Sequence, residues 1–501
     1  MAVKHILGFH ASRRGAIFPL PVNSAILAGM NARKLTKIVA TISDSRCDPA
    51  FLRELHEAGM NVVRLNTAHQ SPEASAKVIA NIRAVSDTIG ILIDTKGPEV
   101  RVRGLPEPLP LKTGETVTIP KVDEVRKGFS VSYDGFMAEV PVGSRILIDD
   151  GSIELAVKNA ANGMLLCEVM NDGTLKDRKN VNVPGVPLRI PALSEKDRLY
   201  LKFVADNGVD FVAHSFVRNK EDVHEVRRIL EGYGSKAKII AKIENIQGVT
   251  NLPEILDAAD GVMVARGDLG VEIPFERLPG IQKTIIEACV RKGKPVITAT
   301  QMLHTMIENP RPTRAEVSDV ANAVFDGTDA LMLSGETAYG DFPLEAVRTM
   351  ARIAVQAESQ KPRNESMVSE ATPNLVRDYL ARSVALSALS LPVKAIIADT
   401  ESGRIARLIS SYRSHVPIFA FSPQMATVRS LSLSYGVFSE QSEAPHTTDQ
   451  LVSRSLESLL GRSMIEPEDL VAIIGGTPGQ SETTNFVEIN TAGSCVRQNG
   501  C

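Results

Sequence analysis

The stretch Lys238-Ile-Ile-Ala-Lys-Ile-Glu244 is a short apolar run that places a lysine and a glutamate at its end. A second apolar run, Gly261-Val-Met-Val-Ala-Arg266, follows, and Asp268 comes two residues after its end. Side chains two residues apart on a strand project from the same face, so Lys242 and Glu244 point together. We therefore predict two neighbouring strands that bring a cation and two carboxylates to one edge, an arrangement suited to holding a divalent metal beside a phosphoryl group.

Similar β-branched apolar runs that end in polar residues recur along the chain, and helical patterns separate most of them. This alternation is typical of a parallel sheet, and eight strand-helix units predict a closed (β/α)8 barrel, the TIM barrel of the α/β class. The predicted strands are 37–42, 62–66, 91–95, 209–215, 238–244, 261–266, 295–300 and 330–334. The clearest helical patterns are 49–58, 221–230, 279–291 and 314–324.

The interval after the third strand is much longer than the others and contains short alternating runs separated by Gly, Asp and Asn. We predict an inserted all-β domain there, and because barrel chemistry lies at the C-terminal rim, this domain would cover the site as a lid. After the eighth unit, a polar linker leads to a predicted helix at 374–391 and predicted strands at 394–398, 417–421 and 470–474, which indicate an open α/β domain. The predicted domains are the barrel at 30–98 and 188–358, the lid at 99–187, and a C-terminal α/β regulatory domain at 366–501.

The first residues differ in composition from the rest, because 1–43 contain no Asp or Glu. A basic, acid-poor leader is typical of a transit peptide. Alternatively Met30 is the real start and residues 1–29 are an extension. We favour the second interpretation and expect 1–29 to pack poorly and to be disordered.

Composition limits the classes of partner. The chain has 501 residues, 56 basic and 59 acidic side chains and a net charge of −3, so it has no global attraction to nucleic acid or to an anionic membrane. No apolar run reaches the roughly 20 residues needed to span a bilayer. The five cysteines show no Cys-x-x-Cys and no paired framework, which indicates a reducing compartment and a cytoplasmic location.

Polar and charged side chains collect at the predicted strand ends, where a buried strand would otherwise carry Val or Ile. Charges there are costly unless they are paired or bound, and the alternative for any one of them is an ordinary ion pair inside the barrel. Taken together they indicate a functional site. The residues are Arg64, Asn66, Asp94, Lys96, Ser215, Lys242, Glu244, Asp268 and Thr300.

Phosphoryl transfer is the chemistry that this set suits, because it depends on positioning and on cations around the phosphoryl oxygens. Glu244 and Asp268 supply the oxygen ligands that Mg2+ prefers, and Lys242 and Arg64 would neutralise the transferred group. The backbone amides of Arg266, Gly267 and Asp268, at a turn that opens a helix, are candidates for a substrate carboxylate. Thr300 offers a hydroxyl for proton handling.

From about Lys34 to the C-terminus the chain resembles the pyruvate kinase family. The resemblance rests on ordered blocks, of which those between Thr298 and Thr337 are especially specific. The blocks are Asp94-Thr-Lys-Gly-Pro-Glu-Val-Arg101, Ile148-Asp-Asp-Gly151, Ser194-Glu-Lys-Asp197, Ser215-Phe-Val-Arg218, Lys242-Ile-Glu-Asn245, Ala265-Arg-Gly-Asp-Leu-Gly270, Ala299-Thr-Gln-Met302, Pro312-Thr-Arg-Ala-Glu316 and Ser334-Gly-Glu-Thr337.

The resemblance implies transfer of the phosphoryl group of phosphoenolpyruvate to ADP, giving pyruvate and ATP, the last step of glycolysis. It implies that Arg64 and Lys242 hold the phosphoryl group, with Ser215 also in the substrate site, and that Thr300 lies near the position where the enolate is protonated. Glu244 and Asp268 would hold Mg2+ or Mn2+.

The resemblance also implies a K+ ion held by Asn66, Asp94 and Thr95, and a nucleotide site formed by His69, Arg101 and Asn66. Glu99 stands where K+-dependent members carry an acid, so K+ activation is expected. A homotetramer is expected as well. Sugar-phosphate effector loops would correspond to Thr400-Glu-Ser-Gly-Arg404, Gly475-Gly-Thr-Pro-Gly479 and Thr483-Thr-Asn485.

The chain departs from the family pattern at several positions. Ala68 replaces a serine that helps to ligate K+, so K+ is expected to bind more weakly or through a water. His214 stands at a usually small position beside Ser215, and Thr41-Ile-Ser-Asp-Ser45 replaces the usual Thr-Ile-Gly-Pro-Ala. Two alternatives therefore stay open: an aldolase that uses Mg2+ to stabilise pyruvate enolate, and a regulatory paralogue that binds the ligands without turnover.

Overall fold

A computed structural model describes residues 34–120, 129–361, 375–477 and 484–498 of the chain. The predicted extension at 1–29 lies outside these residues. From Lys34 onward the chain forms one compact unit. Within the described ranges, no helix is both long enough and apolar enough to cross a lipid bilayer.

Eight parallel strands close into a barrel, which confirms the predicted fold class. Every residue of the strand Gly261–Ala265 is buried, as expected for parallel strands that are covered on both faces. In order around the barrel the strands are Lys37–Thr41, Ala330–Leu333, Val296–Ala299, Gly261–Ala265, Lys238–Ile243, Phe211–His214, Gly90–Asp94 and Val62–Asn66.

Helices cover the outside of the barrel, and several begin at a capping side chain. Ser194 Oγ accepts a hydrogen bond from the amide of Asp197, and the amide of Ser194 donates to the carboxylate of Asp197 in return. Thr313 and Glu316 form a second capping box. The α-helices of this layer are Pro49–Glu57, Pro72–Val85, Glu195–Asp206, Lys220–Gly232, Ile246–Thr250, Leu252–Ala258, Arg266–Glu272, Leu278–Arg291, Arg314–Asp326, Gly335–Ala338 and Pro343–Gln360. Short 3-10 helices lie at Phe275–Arg277 and His304–Ile307.

Two hydrophobic layers hold the barrel together. Alternate strand residues such as Leu92, Phe211 and Met263 fill its interior. Their neighbours, such as Ile93 and Val212, pack outward against the helices in a larger cluster. This division follows from the alternation of side chains along a strand, and it leaves the polar strand ends at one rim.

The insertion after the third strand is an antiparallel β domain with a core of its own, and it is here called the lid. Its main sheet has the order Val181–Asn182, Arg145–Ile148, Ile153–Ala161, Met164–Val169 and Thr116–Ile119. Two smaller sheets pair Gly173–Leu175 with Leu109–Leu111 and Val102–Arg103 with Ser130–Val131, and one short helix spans Phe136–Glu139.

The C-terminal region is an open α/β sheet with helices on it, again as predicted. Its strands run in the order Val437–Gln441, Ile418–Ser422, Val393–Asp399, Leu470–Gly475 and Phe486–Thr491, and only the last pairing is antiparallel. Its helices are Leu375–Ser390, Arg404–Ser411, Met425–Ser430, Thr448–Gly461 and Ala492–Gln498.

This region docks on the barrel face opposite the lid through buried ion pairs. Asp329 accepts hydrogen bonds from Arg413 at 3.1 and 2.7 Å and from the amide of Tyr435 at 2.9 Å. Asp210 accepts one from Arg429 at 2.7 Å. The exact boundaries of the three domains stay a prediction.

Candidate active site

The polar strand ends meet at one rim of the barrel. The register pairs Asn66 with Asp94, and Asp94 with Ala213, so that Ser215 emerges beside Thr95. Lys242 pairs with Met263 on the neighbouring strand, and Asp268 lies in the first turn of the helix that follows it. The predicted convergence at the C-terminal rim is therefore present.

Lys242 lies at the centre of this rim. Its Nζ donates to Ser215 Oγ at 2.8 Å and lies 3.1 Å from Asp94 Oδ1 and 2.9 Å from Glu244 Oε1. An ammonium group has three protons, so these three partners use all of its donors. Lys242 can bind a substrate oxygen only by exchanging one of these partners.

The electrostatics of the cluster keep Lys242 charged. Burial alone would lower its pKa, but Asp94 and Glu244 outweigh that effect and raise it. Burial would raise the pKa of Asp94, but the charges of Lys242 and Arg64 hold this pKa below its usual value. Burial raises the pKa of Glu244 to about 7, and the charge of Asp268 adds to this effect. The site therefore combines fixed cations with one carboxyl group that ionises easily, that of Asp94, and one that is costly to ionise, that of Glu244.

Arg64 is the second fixed cation. Its Nε donates to Asp94 Oδ2 at 2.7 Å and its Nη1 to Thr41 Oγ1 at 3.0 Å. Its Nη2 makes no hydrogen bond with any residue that the structure describes. The guanidinium is thus held in place while the N–H groups of Nη2 stay available for a ligand.

Ser215 and the next residue connect the strand ends. Ser215 Oγ donates to the carbonyl of Thr95 at 2.7 Å, and its amide donates to Thr95 Oγ1 at 3.1 Å. The amide of Phe216 donates to Glu244 Oε2 at 2.6 Å. Phe216 adopts a φ of 55°, a left-handed conformation that costs about 1–3 kcal/mol and is concentrated at functional sites.

Asp268 is half-buried, and its carboxylate receives no hydrogen bond from the described residues. Burial raises its pKa, Lys242 opposes this, and Asp150 and Glu99 on the lid side add to the rise. The carboxylates outnumber the cations around it, and a divalent cation between Glu244 and Asp268 would relieve this imbalance. The two carboxylates therefore fit the chemistry of a Mg2+ site that the substrate completes.

Among the described residues, no three or more His, Cys, Asp or Glu side chains converge as ready-made metal ligands. A site with only two carboxylates, Glu244 and Asp268, is still sufficient for Mg2+. This ion commonly takes one or two protein carboxylates and draws its other ligands from substrate and water.

Thr300 and the turn at Gly267 form the opposite side of the site. Thr300 Oγ1 accepts from the amide of Gly267 at 2.8 Å and donates to the carbonyl of Ala299 at 2.7 Å. Arg266 donates to the carbonyls of Ala299 and Thr300 and pairs with Asp319 at 2.7 Å, so its side chain points away from the rim centre. The Gly267 amide predicted to bind a substrate carboxylate is thus engaged with Thr300.

The residues predicted to bind K+ and the nucleotide share fewer hydrogen bonds with one another than the residues around Lys242 do. Asn66 Oδ1 accepts from the amide of Ala68 at 3.1 Å, and Thr95 Oγ1 donates to a backbone carbonyl at 3.3 Å. His69 is exposed at the rim. Arg101 lies on the lid and donates twice to Glu99 Oε2, at 2.8 and 2.5 Å.

His214 faces outward, away from the site. Both of its ring nitrogens are buried and lack a hydrogen-bond partner among the described residues. Burial lowers its pKa to about 4, against the opposing effect of Asp222, Asp197 and Glu225. His214 is therefore a neutral residue that packs between the barrel and its helices.

The chain is similar to known proteins over most of its length. Residues 33–347 match the family model described as pyruvate kinase, barrel domain, and residues 378–490 match the one described as pyruvate kinase, alpha/beta domain. The chain belongs to the pyruvate kinase family. A pyruvate kinase from Borreliella burgdorferi is 47% identical over 474 residues, which are 93% of this chain and 98% of that protein.

The chain is also similar to other members of the pyruvate kinase family. One from Staphylococcus saprophyticus is 46% identical over 473 residues, covering 91% of this chain and 80% of that protein. The crystal structure of a pyruvate kinase from Cryptosporidium parvum superposes with a TM-score of 0.87 at 38% identity, covering 92% of this chain and 96% of that one. Membership of the pyruvate kinase family makes this chain a phosphotransferase, and the predicted family and enzyme class are confirmed.

Three participants in the rim were not singled out from the sequence. Thr41 orients Arg64, the Phe216 amide orients Glu244, and Asp150 brings lid charge near Asp268. Asp150 and Phe216 do stand in blocks shared with the pyruvate kinase family. A backbone amide, however, carries no sequence signal of its own.

Proposed function

We propose that this protein transfers the phosphoryl group of phosphoenolpyruvate to ADP, giving pyruvate and ATP. The observation that carries the proposal is the position of the Lys242 ammonium between Asp94 and Glu244, close enough to Asp268 for that carboxylate to help raise the pKa of Lys242. Phosphoryl transfer needs fixed positive charge around the transferred group more than it needs covalent chemistry.

We assign Glu244 and Asp268 as the protein ligands of Mg2+ or Mn2+. Such an ion, when bound, neutralises charge on the phosphoryl and enolate oxygens. An ion held by Glu244 would compete with Lys242 for this carboxylate, and the ammonium of Lys242 would then be available to a phosphoryl oxygen. Arg64, whose Nη2 has no hydrogen-bond partner among the described residues, is the second cation for that group.

These cations favour the transition state because they are held before the substrate arrives. Negative charge develops on the leaving enolate, and preorganised donors stabilise it without reorganising. We place the substrate carboxylate at the amides of Arg266, Gly267 and Asp268, which requires the Gly267 amide to exchange Thr300 Oγ1 for the ligand. The Thr300 hydroxyl is then next to the enolate and takes part in proton delivery, while Ser215 positions Lys242.

For K+ we assign Asn66, Asp94 and Thr95, and for the nucleotide His69, Arg101 and Asn66. The support for K+ is a cluster of oxygen atoms at neighbouring strand ends together with the acid at Glu99. Replacing K+ by a large inert cation at constant ionic strength should lower turnover, and unchanged turnover would remove K+ from the proposal.

We further propose a homotetramer in the cytoplasm. Large apolar side chains stand exposed on both the barrel and the C-terminal region, as expected for surfaces that a second copy covers. Phe275 and Tyr339 on the barrel are 82% and 72% exposed, and Leu375 and Tyr379 on the C-terminal region are 71% and 72% exposed. The described cysteines are all free, in line with a reducing compartment.

A sugar phosphate is the effector class that we assign to the C-terminal loops. In Thr400-Glu-Ser-Gly-Arg404 the amide of Gly403 donates to Thr400 Oγ1 at 2.9 Å, at the start of the helix Arg404–Ser411. Helix starts favour anions. Residues 478–483 of the second loop lie outside the described residues.

The test is a coupled assay for pyruvate formation from phosphoenolpyruvate and ADP, with and without Mg2+ and K+. The expected result is turnover that requires ADP and Mg2+ and rises with K+. An aldolase would instead release pyruvate from a hydroxylated 2-oxo acid without ADP. A regulatory paralogue would bind phosphoenolpyruvate in a calorimeter and form no product, and either result would overturn the proposal.

A further inference from the structure

Two segments connect the lid to the barrel, and each is tied to a buried aspartate at the rim. The chain leaves the barrel through Lys96 and Gly97 and returns through 188–190. We propose that Arg218, together with Asp222 and Asp197, positions the lid over the active site. This inference rests on the proposed function, because it assigns these residues a role in the same reaction.

Asp197 holds the outgoing segment. Its Oδ1 accepts from the amides of Lys96 at 3.0 Å and Gly97 at 3.4 Å. Its Oδ2 accepts from the amide and the hydroxyl of Ser194, at 3.0 and 2.6 Å. Asp197 is fully buried, so one carboxylate fixes both the lid connection and the start of the helix Glu195–Asp206.

Arg218 holds the returning segment. Its Nη1 donates to the carbonyls of Leu188 at 3.3 Å and Ile190 at 2.8 Å. Its Nε and Nη2 donate to the two oxygens of Asp222 at 3.0 and 3.1 Å. Asp222 stands in the first turn of the helix Lys220–Gly232 and is 7% exposed. The guanidinium therefore joins the lid connection to the barrel wall with a fixed geometry that a single ammonium group cannot reproduce.

The same connections contact the catalytic groups. Gly97 has a φ of +69°, and a Cβ atom there would lie 2.7 Å from Ser215 Cβ and 2.8 Å from Phe216 Cδ2. Ser215 accepts from Lys242, and Phe216 donates to Glu244. A shift of the outgoing connection, which Asp197 holds rather than Arg218, would thus move the residues that orient the cation and the metal ligand.

Between these connections and the rim lies a cavity of about 260 Å³. Its lining includes both connections, at Pro98 and Leu188, as well as Arg218, Asp268 and Glu272. Arg218 therefore lies at the junction between lid and barrel. A small change in the angle between these two domains would alter the distance between Arg101 on the lid and substrates bound at the rim. Closure of this kind commonly assembles a site and excludes water.

The variant that tests the role is Arg218→Met, and Arg227→Met is the matched control. Arg227 lies on the helix that carries Asp222 and makes a comparable contact, to Asp260 at 2.9 Å and to the carbonyl of Ala258 at 2.8 Å, but on the opposite side of the barrel from the lid. Loss of either arginine should lower the melting temperature. Only loss of Arg218 should loosen the lid.

The readouts are amide hydrogen exchange in 186–192 and steady-state kinetics. For Arg218→Met we expect exchange in this segment to accelerate about tenfold and KM for ADP to rise about tenfold, because local opening becomes less costly. Binding of phosphoenolpyruvate with Mg2+ should change less than about twofold, since Lys242, Arg64 and Glu244 belong to the barrel. Arg218→Lys should recover part of the loss, and Arg227→Met should leave exchange in 186–192 and KM unchanged.

Unchanged exchange and KM in Arg218→Met would overturn the inference, as would equal changes in Arg227→Met. If Arg218→Met does not fold, the same measurements are made on Asp222→Asn, which weakens the interaction that orients the Arg218 side chain. If the wild-type protein forms no pyruvate, the proposed function fails, while the exchange comparison still decides whether Arg218 positions the lid.

Discussion

Lys242 and Asp94 form a buried ion pair with 3.1 Å between Nζ and Oδ1, although their strands are not neighbours in the barrel. The strand Phe211–His214 lies between them and leads into Ser215, which contacts both side chains. The curvature of a closed barrel brings side chains from alternate strands together at its centre. This pair sets the charge of the site on which the proposed chemistry depends.

Replacing Lys242 with Met should reduce kcat by about 10²–10³ or more, the usual effect of removing a preorganised donor. The fold should persist because Arg64 still pairs with Asp94. Pyruvate formation in a coupled assay and circular dichroism measure the two effects. Lys220→Met is the control, since Lys220 lies 3.9 Å from Glu254 at the exposed surface, and near-normal turnover in Lys242→Met would exclude Lys242 from the reaction.

Replacing Ala68 with Ser should strengthen K+ activation. The methyl group of Ala68 cannot ligate a cation, whereas a hydroxyl beside Asn66 can, and one additional contact of about 1 kcal/mol corresponds to roughly a fivefold lower half-activating K+ concentration. Turnover measured against K+ at constant ionic strength gives this concentration. Ala68→Val adds bulk without an oxygen and should not strengthen activation; an effect equal to that of Ala68→Ser would contradict the assignment.

His214 should make stability depend on pH. Burial lowers its pKa to about 4 in the folded protein from the 6.5 of an unperturbed histidine, so below pH 6.5 the unfolded chain takes up a proton that the folded protein does not. The free energy of unfolding should therefore be highest above pH 6.5 and fall as the pH approaches 4, by up to about 3 kcal/mol from this residue.

Urea titrations between about pH 7.5 and about pH 4.5 measure this effect, because they span the range in which His214 is protonated only in the unfolded chain. His214→Leu should flatten the dependence. Val212→Ala, on the same outward face, should lower stability by a similar amount at every pH. An unchanged pH slope in His214→Leu would show that another group causes the dependence.

Arg413→Met should destabilise the protein by about 3–5 kcal/mol, because it leaves the charge of Asp329 buried between barrel and C-terminal region. The side chains of this pair are only 3% and 4% exposed. Arg348→Met breaks an exposed pair with Glu345 and should cost less than about 0.5 kcal/mol. Chemical denaturation measures the free energy of unfolding of both variants. Equal losses would mean that the Arg413–Asp329 pair contributes no more stability than an exposed surface pair.

Much of the barrel could be predicted from the sequence. Strands such as Gly261–Ala265 are buried along their whole length, and continuous apolar runs report this directly. The strands that escaped prediction have a weaker signal. Val437–Gln441 and Phe486–Thr491 lie at sheet edges and are half exposed, and lid strands such as Val102–Arg103 span only two residues.

The candidate site likewise contains residues that could be identified from the sequence and contacts that could not. Lys242, Glu244 and Asp268 were identified because charge at the end of an apolar strand is costly without a function. The contacts of Arg218 with the carbonyls of Leu188 and Ile190 could not be predicted, because backbone carbonyls are the same in every sequence and only the path of the lid brings them to the guanidinium.

By itself, the sequence determined which segments are strands and which polar groups stand at their ends, because burial on both faces and two-residue alternation are local properties. The closure of the barrel decided the rest. It brought Lys242 against Asp94 across an intervening strand, turned the Gly267 amide to Thr300, and set the lid connections on Asp197 and Arg218. Distances between atoms far apart in the chain depend on curvature and packing, which no single stretch of residues specifies.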